Sequence, residues 1–338
     1  MGPALRRGFL VAIPVGIAAL VELELKTPAT GAITIGASIT GFVAFDAPAR
    51  TRFAWQLGVA PVIGLAAALG AATGQSAALA VPTMAILAAV SAMSVAVSRR
   101  LAVAALNCVL ALVVAQGLSL ELHDTPHIVV LGGAGALAQA ALSLIVALAQ
   151  GPLDRVHPIE GARAAIVVIR ANLNLRSPTF RHALRSGGAL GLAVAAYHVV
   201  DLDPHGYWIP LTVVFVLRSE RAETYQRIGM RVVGTLIGLG LATGLAVLVG
   251  ESVAANVAIL VVAAAFAYGM LMIEYAIFTF AITVYIVTIS HAMGESAVDA
   301  VDERAIGTAI GIAICFLAFA VWRDRSSPVP VETGRGFA

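Results

Sequence analysis

Apolar runs long enough to cross a bilayer follow one another along almost the whole chain, and no other feature limits its fold as tightly. They fall at 9–25, 29–45, 56–72, 79–97, 101–119, 128–149, 184–200, 207–217, 232–249, 254–272, 276–292 and 305–322. A helix needs about 20 apolar residues to span the hydrocarbon core. The pattern therefore predicts an all-α integral membrane protein with about twelve transmembrane helices. Composition agrees, with 60% hydrophobic residues, 12% charged residues and a mean hydropathy of +0.94, values foreign to a soluble domain of this size. Cys108 and Cys315 both lie inside apolar runs and read as small core fillers, with no disulfide framework.

Charge sets the expected orientation. Arg6-Arg7 before the first run resembles a twin-arginine export signal. No small-residue cleavage site follows, and a second span begins almost at once, which reads as an uncleaved first helix. With the N-terminus in the cytoplasm and twelve crossings, all of the 21 Lys and Arg except Lys26 and Arg304 fall on the cytoplasmic side. Lys and Arg accumulate in cytoplasmic loops, so both termini are expected inside, at a bacterial inner membrane. The expected organisation is a first six-helix half at 1–150, a basic cytoplasmic linker at 151–183, a second six-helix half at 184–322 and a cytoplasmic tail at 323–338. The linker core, IEGARAAIVVIRANLNLR, reads either as a helix lying on the membrane surface or as a plain connection.

Two internal symmetries follow. Ala4-Leu5-Arg6 recurs as Ala183-Leu184-Arg185, and Arg52 stands to Arg231 at the same offset, so the halves read as parallel repeats. Within the second half, Arg231-Val-Val-Gly234-Thr235-Leu-Ile-Gly238 recurs as Arg304-Ala-Ile-Gly307-Thr308-Ala-Ile-Gly311. Upstream of each copy an aromatic precedes a threonine by four residues, Trp208 to Thr212 and Tyr275 to Thr279. The copies lie three spans apart and run in opposite directions. This predicts a three-plus-three inverted repeat, a transporter device that places the site near the bilayer midplane.

The candidate chemistry concentrates on this half. Arg227, Arg231, Gly234 and Gly238 share one helix face. A carboxylate leaving the cytoplasm needs an electropositive vestibule and a way to shed water. Arg50, Arg52, Arg218, Arg221, Arg227 and Arg231 are expected to supply the charge, as guanidinium forks suited to carboxylates. Tyr207, Trp208 and Tyr275 either stack on an aromatic ring or belt the interface. Glu274 stands in an otherwise apolar stretch and reads as a proton-coupling acid, a partner for an arginine or an ordinary loop carboxylate. His198 and His205 flank Asp201 and Asp203 and are the expected pH-sensing pair on the outer side. No hydrolase, nucleotide-binding or metalloenzyme motif is present, and no pattern supports nucleic-acid binding. The reading is a non-enzyme with no cofactor and no metal site.

Tyr207-Trp208, Thr212, Arg227, Arg231 and the Arg-x-x-Gly-Thr-x-x-Gly string together resemble the fusaric-acid-resistance-type family, which includes aromatic acid exporters, and are distantly similar to plant aluminium-activated malate channels. The resemblance is best over 183–322. In the first half Ala32 stands near where Trp208 would fall, and Val59 to Gly64 lacks the Gly-Thr pair. The resemblance implies an inner-membrane secondary transporter that exports aromatic or other organic acid anions, with Arg218, Arg227, Arg231, Tyr207, Trp208, Thr212, Tyr275 and Thr279 around the substrate. Coupling to protons through Glu274 is expected. The alternatives are a passive organic-anion channel and a non-transporting membrane scaffold or envelope factor. Expected partners are the organic acid, the lipid bilayer, and a second copy or an envelope efflux component.

Overall fold

A computed structural model describes residues 2–25, 31–117, 125–150, 162–200, 206–250, 252–294 and 297–321. Among these the regular structure is helical, with thirteen α-helices and a short 3-10 turn, Ser94–Ala96, that extends the fourth helix. In chain order they are α1 Gly2–Leu25, α2 Gly31–Gly41, α3 Ala49–Gly74, α4 Ala77–Met93, α5 Arg99–Gly117, α6 Thr125–Ala149, α7 Ala162–Asn172, α8 Pro178–Tyr197, α9 Trp208–Val216, α10 Arg221–Val249, α11 Val253–Met270, α12 Tyr275–Ala292 and α13 Ala297–Val321. Nine of these helices are long and apolar enough to cross a membrane. The chain is a membrane protein.

Three of the twelve expected spans depart from full length or full apolarity. The run at 29–45 folds as the eleven-residue α2 and then turns, while 207–217 folds as the nine-residue α9. At about 1.5 Å per residue, these helices reach only about halfway across a bilayer. The third, α8, is twenty residues long but carries Arg181, His182 and Arg185 in its first half. Conversely, the run at 232–249 belongs to a longer helix that begins at Arg221. Its charges lie on the first turns of the 29-residue α10, and Gly250 at φ 55° ends that helix where an L side chain would be strained. In the linker, α7 leaves Ile166 and Val167 exposed.

The first and second sets of six helices pack alike and interlock. Each half uses its first helix to clasp the other half, α1 lying along α11 and α8 along α4. Glycines permit both contacts: a Cβ at Gly8 would fall on the Ala265 carbonyl, and one at Gly187 on the Ala85 carbonyl. Within the halves α2 packs on α6 as α9 packs on α13, and α3 on α5 as α10 on α12. Gly132 of α6 faces Ala32 as Gly307 of α13 faces Trp208, so Ala32 does occupy the place of the tryptophan. One sequence match shifts by a residue. Arg7, not Arg6, donates to a backbone carbonyl just past α2, at Phe45. Arg185 does the same just past α9, at Ser219.

Candidate functional site

Four helices of the second half, α9, α10, α12 and α13, bring the expected residues together. The Arg-x-x-Gly-Thr-x-x-Gly strings act as beds for partner helices. A Cβ at Gly234 would collide with the Thr279 hydroxyl, and Gly238 lies against Thr283, both on α12. Gly307 lies against Trp208 and Gly311 against Thr212, both on α9. Each string therefore packs on the helix that precedes the other string. The contacts run one helical turn away from the register suggested by matching Trp208 with Tyr275, since Gly234 meets Thr279 while Gly307 meets Trp208.

Glycine at these positions lets two arginines stand inside the bundle. Arg231 is 2% exposed and Arg304 is 1% exposed. Arg304 was expected in an outer loop, yet it lies seven residues into α13 and is buried. Its guanidinium sits over the Trp208 ring at 4.2 Å from the centroid. The Thr283 hydroxyl accepts from its Nε at 3.4 Å and from its Nη2 at 3.3 Å. The Arg231 charge and the Tyr207 and Tyr275 hydroxyls lie within electrostatic reach of Arg304. Among the described residues no carboxylate pairs with either arginine, and Arg231 Nε and Nη1 and Arg304 Nη1 have no hydrogen-bond partner. Neither do the buried hydroxyls of Thr212, Thr235, Thr308 and Tyr275. Arg231 stands ten residues into α10, about 15 Å along it. Trp208 stands at the N-terminus of the nine-residue α9.

A second tier lies one helical turn away, toward the start of α10. Arg218 and Arg227 share Glu223, at 3.4 Å and 3.2 Å, and Arg227 lies 4.5 Å over the Tyr275 ring. Burial, followed by the Arg227 charge, pushes the Arg218 guanidinium down to about 10, against the pull of Tyr275 and Glu223. It therefore stays charged at neutral pH. A cavity of about 290 Å³ opens beside Arg218 between α4, α5, α8 and α9, and Arg99, His182 and Ser186 also line it.

The remaining expected residues have other surroundings. Thr279 donates to the Met230 and Ala276 carbonyls, which ties α12 to α10 next to Arg231. Glu274 accepts from the Ala276 N–H at 3.4 Å and caps α12. His198 caps α8 and stacks on Tyr197, away from the arginines, while His205 lies outside the described residues. In the first half, Arg52 is also buried, and its Nε heads a chain of hydrogen bonds. It donates to Ser143, Ser143 donates to Gln56, and Gln56 donates to the Thr40 carbonyl. Sequence reasoning missed Arg304 and Thr283. The repeated string was the available signal, because it made Arg304 the twin of Arg231.

Comparison with known proteins covers this same region. Residues 190–318 match the family described as fusaric acid resistance protein-like. A stretch of 160 residues, 46% of the chain, is 33% identical to the inner membrane protein YccS of Escherichia coli. Another of 161 residues is 32% identical to an uncharacterized protein of Synechocystis. The matches cover 22% and 21% of those two proteins, so the chain spans only a fraction of the length of the relatives it matches. No solved structure matches the chain. The fusaric acid resistance-like segment takes in the end of α8, all of α9 to α12 and most of α13, and so contains both buried arginines.

Proposed function

We propose that this chain is a secondary transporter of the inner membrane that exports aromatic or other organic acid anions in exchange for protons. In this reading it crosses the membrane twelve times, with both termini in the cytoplasm, and its second half is a three-plus-three inverted repeat. One observation carries the proposal: Arg231 and Arg304 are buried together without a carboxylate partner among the described residues. Removing an unpaired charge from water costs several kcal/mol, and a bound anion offsets that cost. Two guanidinium groups from opposite repeats make a fork-shaped receptor for a carboxylate. The Trp208 face offers a surface for an aromatic ring, and the N-terminus of the half-length α9 adds its partial positive charge.

In the proposed cycle an anion first meets Arg218 and Arg227 at the cytoplasmic side, where Glu223 keeps both guanidinium groups in place. It then moves one turn along α10 to Arg231 and Arg304. The test is uptake of a panel of labelled weak acids into proteoliposomes of the purified chain. Accumulation driven by a pH gradient and abolished by an uncoupler is expected. Voltage-driven current without accumulation would make the chain a channel, and neither signal would leave a scaffold.

A further inference from the structure

Glu22 is the acidic side chain that the described helices bury, at 7% exposure and three residues from the end of α1. The Thr34 hydroxyl of α2 lies beside it. Neither Glu22 Oε2 nor Thr34 Oγ1 has a hydrogen-bond partner among the described residues. Gly31 closes one side, where a Cβ would stand 3.0 Å from Glu22 Oε1. One turn along α2, the Ser38 hydroxyl shares a hydrogen bond of 3.2 Å with the Tyr285 hydroxyl, and the Ser38 carbonyl accepts from Tyr268 at 2.8 Å. Tyr285 and Glu22 are within electrostatic reach of each other. Glu22, Thr34, Ser38, Tyr285 and Tyr268 thus mark the seam where α1 and α2 of the first half meet α11 and α12 of the second. Thr283, two residues before Tyr285, binds Arg304. One helix, α12, borders both the seam and the arginine pair.

We propose that Glu22 is the carboxyl that takes up and releases the proton during the export cycle, with α12 linking its state to the arginine site. This rests on the reading of the chain as a proton-coupled anion exporter. The ionised and protonated carboxyl ask for different neighbours. A carboxylate needs donors or a cation, whereas the acid is itself a donor. The Thr34 hydroxyl stands beside the carboxyl without a hydrogen-bond partner, and no cation is at hand among the described residues. The elements packed on α1 confirm this: α2 has no charged residue, α11 offers the Tyr268 hydroxyl, and α6 carries only His127, which is exposed. From α12 come Tyr285 and, at its far end, His291. Glu274, by comparison, is occupied as the cap of α12. A site whose two protonation states favour different packing of α1, α2 and α12 couples proton binding to conformation. The proton enters as the anion leaves outward and is released to the cytoplasm when the site resets, so each cycle carries one anion out and one proton in, a net inward transfer of two positive charges driven by the pH gradient and the membrane potential together.

The experiment uses the full chain in proteoliposomes with labelled 4-hydroxybenzoate as probe, alongside pH-difference infrared spectra of the purified protein. E22Q should keep exchange of labelled for unlabelled probe and lose accumulation driven by a pH gradient. Wild type should show a protonated-carboxyl band that titrates with pH and is missing from E22Q. Accumulation by E22Q equal to wild type would overturn the proposal, as would a sodium gradient that replaces the pH gradient, or the absence of a titrating band in wild type. A wild-type protein that exchanges no probe defeats the exporter reading instead, and the infrared arm then decides Glu22 by itself. If E22Q fails to fold, T34V serves: loss of the neighbouring hydroxyl should shift the midpoint of the band, and an unmoved midpoint counts against the site.

Discussion

The Arg304 guanidinium carbon lies over the Trp208 indole, 4.2 Å from the ring centroid. The two residues come from α13 and α9, which no short loop joins. A desolvated cation–π contact of this kind contributes about 2 kcal/mol, and here it helps hold the guanidinium in place. W208A should therefore raise the apparent KM for an anionic substrate by about tenfold or more, since 1.4 kcal/mol corresponds to tenfold. W208F should recover part of that loss. Concentration-dependent uptake in proteoliposomes is the measurement, and W208A transport equal to wild type would remove Trp208 from the site.

Glycine contacts give a sharper expectation about stability. A Cβ at Gly234 has no room against the Thr279 hydroxyl and the Ala276 carbonyl, and one at Gly311 meets the Thr212 side chain and the Ile209 carbonyl. G234A and G311A should each destabilise the fold by about 1–3 kcal/mol, the usual cost of overpacking. Gly240 and Gly244 lie on the same helix as Gly234, and a Cβ at either meets nothing within 4 Å. G240A and G244A should be neutral or slightly stabilising by helix propensity. Thermal unfolding in detergent separates the two pairs.

The sequence made the helical membrane class plain, because hydropathy over about 20 residues reports a bilayer span directly. It could not show that α2 and α9 stop halfway. The run holding α2 stays apolar to Phe45, past the helix end at Gly41, so no change in polarity marks its break, whereas the run holding α9 is itself only eleven residues long and ends at Arg218. The repeated arginine string was visible, but Arg304 was assigned by counting charges in loops, a rule that ignores arginines buried inside the bundle. The roles of Thr279 and Glu274 were hidden for another reason. A threonine or glutamate in an apolar stretch reads alike whether it ties helices together, caps one or meets a substrate, and only the neighbouring backbone distinguishes these.

His198 gives a prediction with a definite sign. Partial burial against Tyr197 pushes its imidazole below the ordinary value of 6.5. The unfolded chain then binds the proton more readily than the folded one. This contribution to stability is complete above pH 6.5 and is lost as pH falls through that value toward the folded midpoint. H198Q should flatten that part of the stability profile and leave the neutral range unchanged. Thermal unfolding across acidic pH checks it, and a wild-type profile identical to that of H198Q would show that the imidazole is as free as in solution.

Buried arginines with and without partners should respond to mutation in opposite ways. Arg52 is tied through Ser143 and Gln56 to the Thr40 carbonyl, so S143A strands a buried guanidinium nitrogen and a buried amide oxygen. That change should cost about 1–3 kcal/mol of stability and leave the substrate KM unaltered. Arg231 Nε and Nη1 have no partner among the described residues, Arg304 is satisfied only in part through Thr283 and Trp208, and the two charges repel each other. R231A or R304A removes an uncompensated buried charge, which should leave the apo protein equally stable or more so, while transport of an anion falls by at least about tenfold. Lysine at either position should restore charge but only part of the transport, because an ammonium is a point charge without the fork. Unfolding temperature and initial uptake rate, measured on the same preparations, give the comparison. Loss of stability in R231A and R304A to the same degree as in S143A would mean that all three arginines are structural and that the anion binds elsewhere.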